Sequence, residues 1–254
     1  MKKHFEAGSA AQRRTPDVIV ALDMPEAAQA LELADSLRGS EQPPWLKVGL
    51  ELFTVAGPDM VRGLVERECQ VFLDLKLHDI PNTVSRAARA SARLGAHLIT
   101  LHISGGEAMI RQAVEALHEG GEGPCRPLAL GITLLTSDDG KDLPGGMSPA
   151  EFVVSQAMKA KAWGLDGVVC SGHEVAAVKA ACGSELLCVT PGIRPVSYLE
   201  GVQAVDDQRR IMTPAKAVVA GADFLVIGRP ITQAIDPAAA LRGVRAEIAE
   251  ALSQ

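Results

Sequence analysis

The chain has 254 residues, 47% of them hydrophobic and 22% charged, an ordinary balance for a folded globular protein that excludes wholesale disorder. Lys and Arg number 25 against 31 Asp and Glu, a formal charge of −6, so the composition is not that of a general binder of nucleic acid or membrane surfaces. Aromatics make up 3%, which leaves few rings for stacking bases and predicts a core of Ala, Val, Leu and Ile.

Residues 1 to about 15 are polar and without period, and they read as a flexible N-terminal arm ahead of one domain over 16–254. Basic residues occur there with no apolar stretch behind them, which points away from a secretory signal and toward the cytoplasm. No run reaches the ~18 apolar residues of a membrane span. The five cysteines, Cys69, Cys125, Cys170, Cys182 and Cys188, are odd in number and not closely paired, as expected of reduced, mostly buried thiols.

From Asp17 onward, short apolar runs alternate with helical patterns. The runs are Val18–Leu22, Trp45–Gly49, Val71–Lys76, His97–His102, Leu128–Leu135, Gly167–Cys170, Leu186–Thr190 and Phe224–Gly228. Their short, apolar character, rich in Val, Ile and Leu, fits strands buried on both faces of a parallel sheet. Between them, Pro25–Arg38 carries a one-sided stripe at Ala27, Ala30, Leu31, Ala34 and Leu37, with Pro25 in its first turn. Asn82–Leu94 stops at Gly95, Ser148–Trp163 opens with a capping-box pattern, and Pro237–Leu252 closes the chain. Eight strands alternating with helices fit an open doubly wound sheet or a closed (β/α)8 barrel. No Gly-x-Gly-x-x-Gly follows the first strand, and the strand count and length favour an α/β, single-domain (β/α)8 TIM barrel.

The most informative stretch runs from Val71 to Thr83. Strand side chains alternate, so Phe72, Asp74 and Lys76 point one way and Leu73 and Leu75 the other. The outer face of a barrel packs on helices, so Asp74 and Lys76 belong in its mouth, with Asp79 where the chain turns. Other strands also end in polar groups: Asp23 after the first, Lys47 in the second, His102 in the fourth and Thr136 in the fifth. A structural ion pair explains one such residue, whereas an active site explains the set. Lys47, Asp74, Lys76 and Asp79 suit a site of alternating charge. A lysine held between carboxylates stays charged, fit to donate a proton or stabilise an anion rather than act as a base. Asp74 and Asp79 suit a divalent ion less well, because Lys76 between them competes for both.

Gly228-Arg229-Pro230 after the eighth strand stands where barrels bind phosphate, and Arg229 adds a bidentate fork. The long segment Pro191–Ile211 has the look of a mobile lid with rigid ends, with Arg194 and Gln208 as ligand contacts. Arg209 and Arg210 read as solvated or paired with Asp206 and Asp207. No zinc-type spacing, Gly-x-Ser-x-Gly elbow or P-loop lysine occurs.

Asp74-Leu75-Lys76-Leu77-His78-Asp79-Ile80-Pro81-Asn82-Thr83 resembles the signature of the orotidine 5′-phosphate decarboxylase family. Val20-Ala21-Leu22-Asp23, Lys47-Val48-Gly49, His102-Ile103-Ser104-Gly105-Gly106, Thr190 to Pro195, Asp207 to Arg210 and Val226 to Pro230 extend the likeness over about residues 16 to 250. The Asp-x-Lys-x-x-Asp core alone is shared with a sugar-phosphate decarboxylase cousin, while the longer string is specific. The resemblance implies decarboxylation of orotidine 5′-phosphate (OMP) to UMP, with no metal and no organic cofactor. By it, Lys76 donates the proton to C6, Asp74 sits beside the departing carboxylate, and Lys47 and Asp23 touch the ribose. Thr136 lies near the pyrimidine; Arg194, Gln208, Gly228 and Arg229 hold the phosphate. Asp79 and Thr83 reach the neighbouring site of a homodimer. The rivals are a magnesium-dependent sugar-phosphate decarboxylase or phosphosugar epimerase on the same barrel, and a non-catalytic nucleotide sensor.

Overall fold

A computed structural model describes residues 15–40, 42–120, 126–138, 140–201 and 210–253. The expected N-terminal arm falls almost wholly on residues 1–14, outside the described residues. The first half of the chain runs β1 (Asp17–Ala21), α1 (Ala27–Arg38), β2 (Trp45–Val48), α2 (Leu50–Glu66), β3 (Val71–Leu77), α3 (Pro81–Arg93), β4 (Leu98–His102) and α4 (Glu107–Gly120). The second half runs β5 (Leu128–Ile132), α5 (Pro149–Ala162), β6 (Gly167–Val169), α6 (Val175–Cys182), β7 (Leu187–Thr190), α7 (Val196–Gly201), α8 (Pro214–Ala220), β8 (Phe224–Ile227), α9 (Arg229–Thr232) and α10 (Pro237–Leu252). All eight strands are parallel and close in order, β8 pairing with β1, so the structure is the (β/α)8 barrel that the alternation predicts.

Alternation along each strand builds two cores. Val18, Val20, Leu46, Val48, Val71 and Leu73 face outward and bury against the helices. Ile19, Trp45, Phe72, Leu98, Leu130 and Phe224 face inward and fill the lower barrel. The composition-based expectation of an aliphatic core holds for the outer layer, and inside the barrel Trp45, Phe72 and Phe224 join aliphatic residues such as Ile19, Leu98 and Val189. Inside, Trp45 meets Phe224 edge-on at 5.3 Å, because a closed barrel has an axial space that large rings fill.

Local expectations mostly hold, with informative shifts. Ser148 caps α5, its Oγ accepting from Glu151 N at 3.3 Å while Glu151 Oε2 accepts from Ser148 N at 2.9 Å. Gly95, just past α3, adopts φ +83°, a conformation costly for residues with a Cβ. Pro25 lies ahead of the helix it was expected to open, since Glu26 is the N-cap of α1. β5 ends at Ile132 rather than Leu135, because its partner β6 is only three residues long and offers no ladder beyond Val169. α7 occupies part of the segment expected to be irregular.

At the N-terminal face of the barrel one device occurs twice. Asp166 is held by Arg126 and accepts from Ala129 N at 2.8 Å, and Asp223 is held by Lys179 and accepts from Cys188 N at 2.7 Å. These charges tie strand beginnings together, so the remaining buried charges of the opposite face call for another explanation.

Candidate active site

A cavity of about 430 Å³ opens at the C-terminal face of the barrel. Ala21, Asp23, Lys47, Phe72, Asp74 and Lys76 line one arc, from β1 to β3. Gly192, Arg194, Gly228 and Arg229 line another, from the segments after β7 and β8. Ile132, Leu134, Thr136 and Val169 lie between in strand order.

The first arc is an alternating chain of four charges. Lys47 Nζ donates to Asp23 Oδ1 at 2.7 Å and lies 3.7 Å from Asp74 Oδ2. Lys76 Nζ donates to the same Asp74 oxygen at 2.8 Å. Lys47 is 7% exposed and Asp74 8%, so both charges have left water almost completely. At ~4 Å and an effective dielectric of ~20, each such pair interacts by ~4 kcal/mol, so removing one member leaves an uncompensated buried charge.

The alternation that aims Asp74 and Lys76 inward is not that of a regular strand. Pairing of β3 with β4 runs Phe72↔Leu98 and Leu73↔Ile99, then resumes at Leu77↔Leu101. The additional residues form a bulge, and Lys76 within it adopts φ +51°, which costs a residue with a Cβ about 1–2 kcal/mol. Its N–H, released from the ladder, donates to Thr100 Oγ1 at 2.9 Å, and Thr100 in turn donates to Asp74 Oδ1 at 3.0 Å.

Asp79 is not part of this charge chain. It is exposed at the β3–α3 turn, and its Oδ1 accepts from Ile80 N at 2.6 Å, next to the start of α3. The lysine flanked by two carboxylates is therefore Lys47 rather than Lys76. Thr83, two residues into α3, is likewise exposed. His102 is not among the cavity-lining residues. It stacks on His78 with ring centroids 5.3 Å apart, and burial first, then His78 and Lys76, hold its imidazole below the ordinary value.

On the second arc, Arg194 is buried, with Nη1 donating to Ile193 O at 3.0 Å and the guanidinium 6.0 Å from the Tyr198 ring. Its backbone N–H donates to Met212 O at 2.9 Å, and Met212 N donates to Gly192 O at 3.0 Å. The two ends of the long segment are thus laced together beside the cavity. The centre of that segment, 202–209, and with it Gln208, lies outside the described residues. Arg210 is not solvated: it forms an ion pair with buried Glu174, and its removal from water lowers its basicity. Thr136 lines the cavity half-buried, four residues past the end of β5.

Sequence reasoning missed Thr100, Glu174, Thr232 and Gln233. The last two follow Arg229 by three and four residues, the spacing that keeps a helix turn on one face, so they were legible. Glu174 and Thr100 were not, because nothing local sets their partners.

A family model described as the orotidine 5′-phosphate decarboxylase / HUMPS family matches residues 16–244. The orotidine 5′-phosphate decarboxylase of Nitratidesulfovibrio vulgaris strain DP4 is 53% identical over 235 residues, 92% of this chain and 97% of the relative. The protein of the same name from Vibrio vulnificus strain CMCP6 is 50% identical over 234 residues, 91% of this chain and 97% of the relative. Among solved structures, orotidine 5′-phosphate decarboxylase from Lactobacillus acidophilus superposes with a TM-score of 0.79 at 39% identity, covering 92% of this chain and 99% of that one. With a barrel of the same fold and a family match over nearly its whole length, the chain belongs to the orotidine 5′-phosphate decarboxylase / HUMPS family.

Proposed function

We propose that the chain decarboxylates OMP to UMP and CO2, the last step of UMP synthesis, by electrostatic stabilisation of a carbanion at C6 and protonation by Lys76. The observation that carries this reading is the Asp23–Lys47–Asp74–Lys76 charge chain at one side of the cavity, in a chain half identical to proteins of that name. Breaking the C6–carboxylate bond leaves the electron pair on C6 while CO2 departs. An ammonium fixed beside that carbon stabilises the charge as it develops and then supplies the proton that forms the C6–H bond. Asp74, beside the departing carboxylate, fixes the Lys76 ammonium at 2.8 Å. Lys47 and Asp23 take the ribose, and Thr136 takes the pyrimidine edge. Arg194, Gln208, Gly228 and Arg229 take the phosphate, whose binding energy positions the ring.

No cofactor enters this scheme: both oxygens of Asp74 are already engaged, one by ammoniums and one by Thr100. The reading includes a homodimer in which Asp79 and Thr83 enter the neighbouring site; their exposure, on the β3–α3 turn and in the first turn of α3, leaves them available for it. It also includes residence in the cytoplasm, supported by the four described cysteines, all free thiols. No helix among the described residues is long and apolar enough to cross a membrane.

The test is a spectrophotometric assay with OMP, with and without EDTA. Loss of OMP with stoichiometric UMP, indifferent to the chelator, is the expected result. Strict metal dependence or indifference to OMP favours the sugar-phosphate rival, and UMP binding without turnover favours a sensor. Lys76→Ala is expected to lower kcat at least about 1000-fold. Arg229→Ala is expected to raise KM about 10- to 100-fold with a smaller change in kcat, as for a lost charge-assisted phosphate contact.

A further inference from the structure

Thr100 is the only described residue with its side chain on both halves of the Asp74–Lys76 pair. It lies on β4, facing the barrel interior one layer above Leu98, and it is wholly buried. Its Oγ1 is 2.9 Å from Lys76 N and 3.0 Å from Asp74 Oδ1. An amide N–H can only donate, so the hydroxyl oxygen accepts there and its single proton goes to the carboxylate. Both directions are therefore set by chemistry.

We propose that Thr100 is a positioning residue for the decarboxylation proposed above: its hydroxyl clamps the left-handed backbone of Lys76 to the Asp74 carboxylate and so aims the ammonium at the reacting carbon. Three independent features meet at this hydroxyl. The β3–β4 ladder is broken between Leu73 and Leu77, opposite Thr100, so no strand carbonyl is placed to hold the Lys76 N–H. Lys76 is one of two described non-glycine residues at positive φ, the other being Glu68 in a turn, so its backbone needs an external restraint. Asp74 Oδ2 is given to ammoniums, so the orientation of the carboxylate depends on what its other oxygen accepts, and that is Thr100. With the hydroxyl removed, the bulge relaxes toward an ordinary strand conformation and swings the Lys76 side chain, while the phosphate-binding arc keeps its geometry.

The inference rests on the proposed reaction, and the experiment separates the two. Thr100→Val preserves shape and removes the hydroxyl, and Thr100→Ser restores it. Thr100→Val is expected to lower kcat for OMP about 100-fold, the scale of a misplacement near 1 Å. KM and the dissociation constant of UMP are expected to stay within about threefold, because uniform binding is untouched. Thr100→Ser is expected to return kcat to within about threefold of the unaltered chain. Backbone amide exchange, followed by NMR, gives a readout that needs no turnover: the Lys76 amide is protected in the unaltered chain and in Thr100→Ser, and loses protection in Thr100→Val. Unchanged kcat in a folded Thr100→Val protein, or kcat and UMP affinity falling together, overturns the positioning role. A Lys76 amide that exchanges freely in the unaltered chain overturns the clamp even if Thr100→Val does not fold. Absence of OMP turnover in the unaltered chain sinks the proposed reaction, and the exchange data then still judge the clamp.

Discussion

Gly49 shows how closely the charge chain is fitted to its surroundings. A Cβ there would lie 2.8 Å from Asp23 Oδ1 and 2.8 Å from Lys47 Nζ, while the glycine itself has φ −91°, open to any residue. The constraint is space, and the atoms that must give way are the ends of two site side chains. Gly49→Ala is therefore expected to separate Asp23 from Lys47 and lower kcat/KM about tenfold, with a melting temperature close to that of the unaltered chain. His97 is a residue of the opposite kind, partly buried and serving stability. Its Nδ1 accepts from Val71 N at 3.1 Å, which requires that nitrogen unprotonated, and burial lowers its pKa from the ordinary 6.5. The unfolded chain therefore takes up the proton at a higher pH than the folded one. This contribution is fully present above 6.5 and is lost as pH falls below it, toward the folded-state value. Thermal unfolding between pH 7 and pH 5 is expected to show falling stability. His97→Asn, which keeps an acceptor near the Nδ1 position, is expected to flatten that slope, leaving the part due to His102.

At the scale of elements, the ends of the long segment after β7 carry the second half of the site. Gly192 and Arg194 are paired by backbone bonds to Met212, and two residues earlier Arg210 is anchored on Glu174, which follows β6. Glu174 is 2% exposed, so the anchor is a buried ion pair and its loss strands a charge. Glu174→Gln is expected to destabilise the fold by about 3 kcal/mol in urea unfolding. It is also expected to raise KM for OMP through the slackened Arg194, whereas an unchanged KM would separate the anchor from phosphate binding. The sequence offered Arg210 solvent or Asp206 and Asp207, which lie outside the described residues, because neighbours in the chain are the only partners local reasoning can name. Among the described residues it takes Glu174, 36 positions away, reached because β6 and β7 are adjacent in the barrel. The extent of β5 was overestimated for the same reason: its apolar residues run on to Leu135, but a strand ends where its neighbour's ladder does.

For the whole molecule, the two faces of the barrel divide the charges by purpose. Asp166 and Asp223 at the strand beginnings knit the sheet, whereas Asp23, Lys47, Asp74 and Lys76 at the strand ends surround the cavity. Asp79 and Thr83 stand near that second face, exposed and outside the cavity lining. Under the proposed homodimer, each site combines Lys76 of one subunit with Asp79 of the other. A mixture of separately inactive Lys76→Ala and Asp79→Ala proteins, allowed to exchange subunits, then forms dimers with one site carrying both changes and one carrying neither. Activity is expected to rise to about a quarter of the unaltered level, the share of intact sites at random two-fold pairing. No rise would place Asp79 outside the neighbouring site.

The sequence by itself determined the barrel and most of the candidate site. Eight short runs rich in Val, Ile and Leu, separated by amphipathic helices, have few ways to bury both faces, and a charge at a strand end has only the barrel mouth to enter. Asp23, Lys47, Asp74 and Lys76 were legible on those grounds, and Arg194 and Arg229 from their places in the segments after the seventh and eighth strands. Only the tertiary structure decided which charges touch: that Lys47 sits between two carboxylates, that Asp79 is exposed and outside the charge chain, and that Thr100 and Glu174 hold residues from other strands and loops. The physical reason is that strand periodicity sets the face on which a side chain lies, whereas register, bulges and barrel closure set its neighbours, and these depend on distant parts of the chain at once.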